Sequence, residues 1–191
     1  MLRLALLALA GPLLAAEPDQ AKEVALTSTS RTGESHHLIA KVPAGFTATL
    51  KDLPAKKPEA LQAISAESAD QRVQILITLV PPNEAQTRDA AWLEATFRKI
   101  FAGFVSGSVE GKITPFPLKL SEGIGVAAIF SDKDEAGKPL AKGRGHYKLV
   151  TNALVRVGDS TLATVSIFSD SKESPEYLSA LKLVAGLRAG K

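Results

Sequence analysis

Strand-like runs of apolar and polar residues make up most of this chain, and the clearest pair lies between Gly143 and Asp170. The stretch GRGHYKLVTNALVRVGDSTLATVSIFSD reads as two antiparallel strands around a tight turn at Gly158-Asp159. Gly in first place suits a two-residue type II′ turn, because it accepts positive φ without a Cβ clash. That loop length predicts a register pairing Val157 with Ser160, Val155 with Leu162, Ala153 with Thr164 and Leu149 with Phe168. The opposite face then carries Leu154 beside Ala163, Asn152 beside Val165 and Val150 beside Ile167. Both faces are largely apolar, so the hairpin is expected at the centre of a sheet with something packed on each side.

Earlier in the chain, Val24 to Ser30 and His37 to Val42 alternate as strands, the second ended by Pro43. Ala44-Gly45 turns the chain into a strand from Phe46 to Leu50, followed by a lysine- and proline-bearing loop from Lys51 to Pro58. Leu61 to Glu67 reads as a strand, and Ser68-Ala69-Asp70 as a turn. Val73 to Val80 is a buried strand by its β-branched content, terminated by Pro81-Pro82. The period then changes. Leu93, Phe97, Ile100, Phe101 and Phe104 make one apolar stripe on a helix that begins at Asn83 or Thr87 and runs to Ser106. Asn83 or Thr87 caps its start, Asp89 suits its positive end, and Gly107 ends it. The stripe is expected to face the core.

A meander follows: Lys112 to Leu120, Gly125 to Ser131, and the hairpin. Pro115 and Pro117 cannot donate to a ladder, which places the first of these strands at a sheet edge. Ser174-Pro175-Glu176 opens a closing helix, with Ser as N-cap and Pro in the first turn. Its apolar face is Tyr177, Leu181, Val184 and Ala185, and Gly186 or Gly190 stops it.

Composition changes this picture little. The 191 residues are 45% hydrophobic and 23% charged, and no repeat or linker divides them. Net charge is +3 with scattered lysines, which does not make the dense basic stripe of a nucleic-acid binder. One Trp and two Tyr argue against an aromatic platform for single strands. With no cysteine, disulfides, thiol nucleophiles and thiolate metal sites are ruled out. The N-terminus adds more. Arg3, the apolar run Leu4 to Leu14 and Ala15-Ala16 have the layout of a cleaved signal peptide over residues 1–16, leaving a single domain at 17–191. The absence of Cys excludes acylation as a lipoprotein, so the expected location is periplasmic or secreted.

No motif carries chemistry. Gly123-Ile124-Gly125-Val126-Ala127-Ala128 has the form of a dinucleotide fingerprint but continues as a strand, where that fingerprint needs a helix. Asp132 to Gly137 matches half of a calcium loop, but Ala136 and Gly143 stand where ligands should close the cage. His36 and His37 are neighbours on a strand and point to opposite faces, so a surface role is expected, not a shared metal. Catalytic, cofactor-binding and metal residues are therefore each read as none. The charged loop from Asp132 to Lys142 remains, and Lys133, Asp134, Glu135 and Lys138 are the candidate contacts for a protein partner.

The segments KVPAGF, DAAWLEATFRKIF, KLVTNALVRVGDSTLATVSIF and PEYLSALKLVAGL resemble, in pattern and spacing, the PsbP-like proteins over about residues 24 to 187. That group includes extrinsic photosynthetic subunits, nuclear Ran-release factors and DcrB-like periplasmic proteins. The resemblance implies an α+β fold, a central antiparallel β-sheet with helices packed on both faces, and a non-catalytic protein acting through protein contacts. It transfers no site residues. The expected function is that of an exported, cofactor-free accessory or adapter protein in the bacterial envelope, monomeric or weakly associating. Three alternatives stay open: an inhibitor or immunity protein, a carboxylate-based hydrolase, and a small-ligand binder with its pocket between a helix and the sheet.

Overall fold

A computed structural model describes residues 21–29, 33–54, 61–80, 89–139 and 147–190. The leader, the prolines after Val80, the expected caps Asn83 and Thr87, and His146 lie outside those residues. The elements are β1 (Lys22–Thr29), β2 (Ser35–Val42), β3 (Phe46–Leu53), β4 (Leu61–Ser68), β5 (Val73–Val80), α1 (Ala90–Ile100), β6 (Phe116–Lys119), β7 (Gly123–Ser131), β8 (Leu149–Val157), β9 (Thr161–Ser169), α2 (Pro175–Ala185) and β10 (Arg188–Ala189).

These strands form two antiparallel sheets. The larger runs β3-β4-β5-β9-β8-β7-β6, and the smaller β1-β2-β10. The expected α+β architecture, one sheet with helices packed on both faces, is therefore wrong: the fold is mostly strand. The reason lies in β1 and β2. Their period-two alternation buries Leu26, Leu38, Ala40 and Val42 on one side only. That side closes over the larger sheet, against Ile64, Ile75 and Ile77, where the resemblance implied a helix layer. The helix α2 lies beside this small sheet, against β2, β5 and β9. On the opposite face α1 packs over β7 and β8 through Leu93 and Phe97.

The hairpin is central, but its register is shifted by one residue from expectation. Val157 pairs with Thr161, Val155 with Ala163, Ala153 with Val165 and Leu149 with Ser169. Three residues, Gly158, Asp159 and Ser160, make the loop, and Gly158 has the expected positive φ of 58°. A one-residue shift moves every β9 side chain to the other face. Ala163, Val165 and Ile167 thereby join the side closed by the small sheet. The shift also gives the side-chain oxygen of Asn152, which is fully buried, a partner. The two-residue loop would set it against Val165. The observed register sets it against Ser166, whose hydroxyl donates to the Asn152 Oδ1 at 2.6 Å. Leaving such a group unpaired costs about 1–3 kcal/mol.

The helix α1 is shorter than its apolar stripe. Asp89 is the N-cap and accepts the Trp92 N–H at 2.8 Å. After Ile100 the chain tightens into a 3-10 turn, Ala102–Phe104. The strand expected from Lys112 to Leu120 is paired only over Phe116–Lys119, at the edge its prolines require. At the other end Ser174 caps α2, accepting from Tyr177 N–H at 3.1 Å, with Pro175 in the first turn. The buried face of α2 is Tyr177, Ala180, Leu183 and Val184.

Candidate functional site

Around the end of α1 the stripe is no longer all core. Leu93, Phe97 and Phe101 are buried, whereas Ile100 is 46% and Phe104 39% exposed. The two exposed side chains form one wall of a cavity of about 630 Å³. Phe130, Val150 and Phe168, from β7, β8 and β9, also line it, with Tyr147 and Leu149. Rings meet along the walls: Phe104 lies 5.6 Å from Phe130, and Tyr147 lies 5.7 Å from Phe168, centroid to centroid.

The lip of the groove is polar and tightly stitched. A bridge joins Ser108 to Asp132, the Val109 N–H donates to the Ser131 carbonyl at 2.8 Å, and the Lys133 N–H donates to the Gly107 carbonyl at 3.0 Å. Glu110 accepts from both the N–H and the hydroxyl of Ser131, each at 2.8 Å. Burial pushes the Glu110 carboxyl up, but these hydrogen bonds outweigh it and hold it below its usual value. The loop after α1 is thus held against the end of β7, which fixes Phe104 over Phe130.

Of the four residues expected to contact a partner, Lys133 and Asp134 reach this lip. The Lys133 ammonium donates to the Ser106 carbonyl at 3.0 Å, and the Asp134 N–H donates to the Asp132 carboxylate at 2.8 Å. Glu135 and Lys138 do not line the groove; they pair with each other at 3.4 Å. The residues that make the groove apolar were missed as a site, because their helical spacing assigned Ile100 and Phe104 to the core. Helical phase shows that a stripe is apolar and not what it faces.

A second cluster also escaped the sequence. His36, expected at the surface, is buried. Its Nδ1 lies 3.3 Å from the Ser160 hydroxyl in the hairpin loop, and its Nε2 lies 3.4 Å from the Glu34 carboxylate. The Nε2 contact is within ion-pair distance but lacks hydrogen-bond alignment. None of the cavities at the end of α1, at Asp170 or beside Pro117 is lined by His36, Ser160 or Glu34. The acid–imidazole–hydroxyl row therefore ties β2 to the β8–β9 loop. His37, on the other face of β2, meets the Thr27 hydroxyl at 3.1 Å. Among the described residues no His, Asp and Glu side chains cluster to hold a metal ion, and no helix is long and apolar enough to cross a membrane.

These features define a β-rich, two-sheet scaffold with one aromatic groove at the end of a helix. No protein-family model, curated protein or solved structure matches this chain.

Proposed function

We propose that this protein is a non-catalytic accessory protein of the bacterial envelope that holds an apolar segment of a partner protein in the groove between α1 and the β7–β9 floor. One observation carries the reading: Ile100 and Phe104 stay exposed beside a concave aromatic surface. Large apolar side chains lining a preformed groove are the usual anchor points of a binding site. The lip adds charge, with Asp132, Lys133 and Asp134 around the apolar floor. An apolar centre with a polar rim is the ordinary anatomy of an interface between proteins. Location in the envelope rests on the leader read in the sequence.

The test is photo-crosslinking in intact cells, with a photoreactive phenylalanine at Phe104 and, as control, at the exposed Lys182 of α2, on the opposite side of the large sheet. The reading expects a discrete protein adduct from Phe104 and none from Lys182. Adducts of equal yield at both positions, or none at Phe104, overturn it. An adduct to lipid or to a small metabolite in place of protein also overturns it, in favour of a small-ligand site. Charge reversal at Asp134 should change the association rate and its salt dependence without changing stability, as expected for a rim contact.

A further inference from the structure

The strands at the margins of the two sheets are not equally protected. At one margin of the large sheet β6 is four residues long and contains Pro117. On the small sheet, the Thr27 N–H of β1 is taken by the Gln62 Oε1 at 2.8 Å, and β10 is only two residues. Short strands, prolines and covering side chains are the usual means of blunting an edge. The remaining margin, β3, has eight residues, FTATLKDL, with no proline among them. No described residue pairs with its outer side.

The phase of that outer side can be fixed. The Ala69 N–H donates to the Gly45 carbonyl at 3.0 Å, in line with the pairing of Phe46 with Ser68. Bonded and non-bonded pairs alternate along an antiparallel ladder. Thr47, Thr49 and Lys51 therefore bond to β4, while Ala48, Leu50 and Asp52 turn their N–H and C=O groups outward. In the middle of this row Leu50 is a large apolar side chain left 44% exposed.

We propose that β3 is a self-pairing edge: two copies of this chain join antiparallel through β3, with the two-fold axis at Leu50, to continue the large sheet across both molecules. This register sets Leu50 against Leu50 of the second copy and covers the exposed apolar pair. It sets Ala48 against Asp52 and Thr49 against Lys51, so no like charges stand opposite each other. A register centred on Thr49 is poorer. It needs the Phe46 N–H, which already donates to the Pro43 carbonyl at 3.3 Å. Registers offset by one residue set outward groups against inward ones. An edge-to-edge contact is smaller than the ~1,200 Å² of a stable interface, so the dimer is weak and concentration-dependent.

The experiment is sedimentation equilibrium of the protein over a series reaching millimolar concentration, with three variants. Leu50→Pro removes an outward donor without touching the β4 ladder, and should raise the dimer dissociation constant at least ~10-fold. Thr49→Glu, placed opposite Lys51, should lower it by roughly 2–5-fold, and Thr49→Lys should raise it by a similar factor. Hydrogen exchange at high concentration should slow at the Ala48, Leu50 and Asp52 amides and stay unchanged at Thr47, Thr49 and Lys51. A monomer at every concentration overturns the proposal. So does a dimer indifferent to Leu50→Pro, or one that both Thr49 variants weaken alike, since that is the signature of pairing about Thr49.

Discussion

The two faces of the large sheet are built from the same strands and treated very differently. On one face Ile64, Ala66, Ile75, Ile77, Val155 and Ala163 have no exposure, closed in by the small sheet and α2. On the other, α1 covers β7 and β8, while Gln74, Leu76, Thr78, Thr164 and Ser166 on β5 and β9 are only half-buried. Strand periodicity makes both faces available, but only one is filled to the density of a core. The sealed face carries stability. The half-covered face holds the groove, where a change of side chain costs the fold less.

This division can be broken most directly within β5, where neighbours point to opposite faces. Ile77→Ala should destabilise by about 2–5 kcal/mol, and Leu76→Ala, one residue away, by less than about 1 kcal/mol. Equal denaturant midpoints for the two variants would abolish the distinction between the faces. Next in size is Gly158→Val at the loop that sets the β8–β9 register. A side chain there would adopt an unfavourable positive φ, and its Cβ would stand 3.4 Å from the Ala189 Cβ. The change should cost about 1–3 kcal/mol in a urea titration. No change in midpoint would mean that the loop tolerates a β-branched residue there and does not fix the register.

Smaller effects sharpen the comparison. On the sealed side the Tyr177 hydroxyl lies 2.7 Å from the Thr151 hydroxyl. Burial raises the Tyr177 pKa above its usual 10.0, against the pull of the Thr151 bond. A raised value means that the stabilising contribution is full below pH ~10 and is lost as pH climbs through the folded-state value. Tyr177→Phe should cost about 1 kcal/mol at neutral pH and remove that alkaline slope. An unaltered slope in alkaline melts would assign it to another group. The least effect is expected at Glu110, which ties the loop after α1 to Ser131. The depressed pKa of Glu110 makes its contribution full above the reference 4.5 and lost as pH falls through the lower folded-state value. Glu110→Gln should therefore flatten the acid limb of the stability curve while leaving the sealed face intact, as judged by acid titration of both proteins.

Local structure was legible wherever one signal dominated. The β-branched run VQILITLV gave β5 with its bounds, and Ser174-Pro175 gave the start of α2. What failed depended on contacts between distant segments. Gly158-Asp159 suits a two-residue turn, and only the need of Asn152 for Ser166 reveals the longer loop. The alternation in β1 and β2 shows which residues are buried and not which surface buries them, so nothing in it opposed the helix layer that the resemblance implied. The groove was hidden for the same reason, since Phe104, Phe130, Tyr147 and Phe168 meet from four separate stretches. The loop around Lys133 and Asp134 stood out because its charge is local, while its apolar neighbours carry no local signal.

The strand β10 has a consequence for the order in which the molecule is made. Arg188 and Ala189 pair with Ile39 and Leu38, across almost the whole length of the chain, and Arg188 forms an ion pair with Glu23. During synthesis β1 and β2 emerge first, but β2 lacks its second neighbour until the entire large sheet and α2 have followed. Contacts so distant in sequence close slowly, because the loop entropy must be met before the pairing rewards it. A nascent chain halted before Arg188 would hold its early strands without their final clasp.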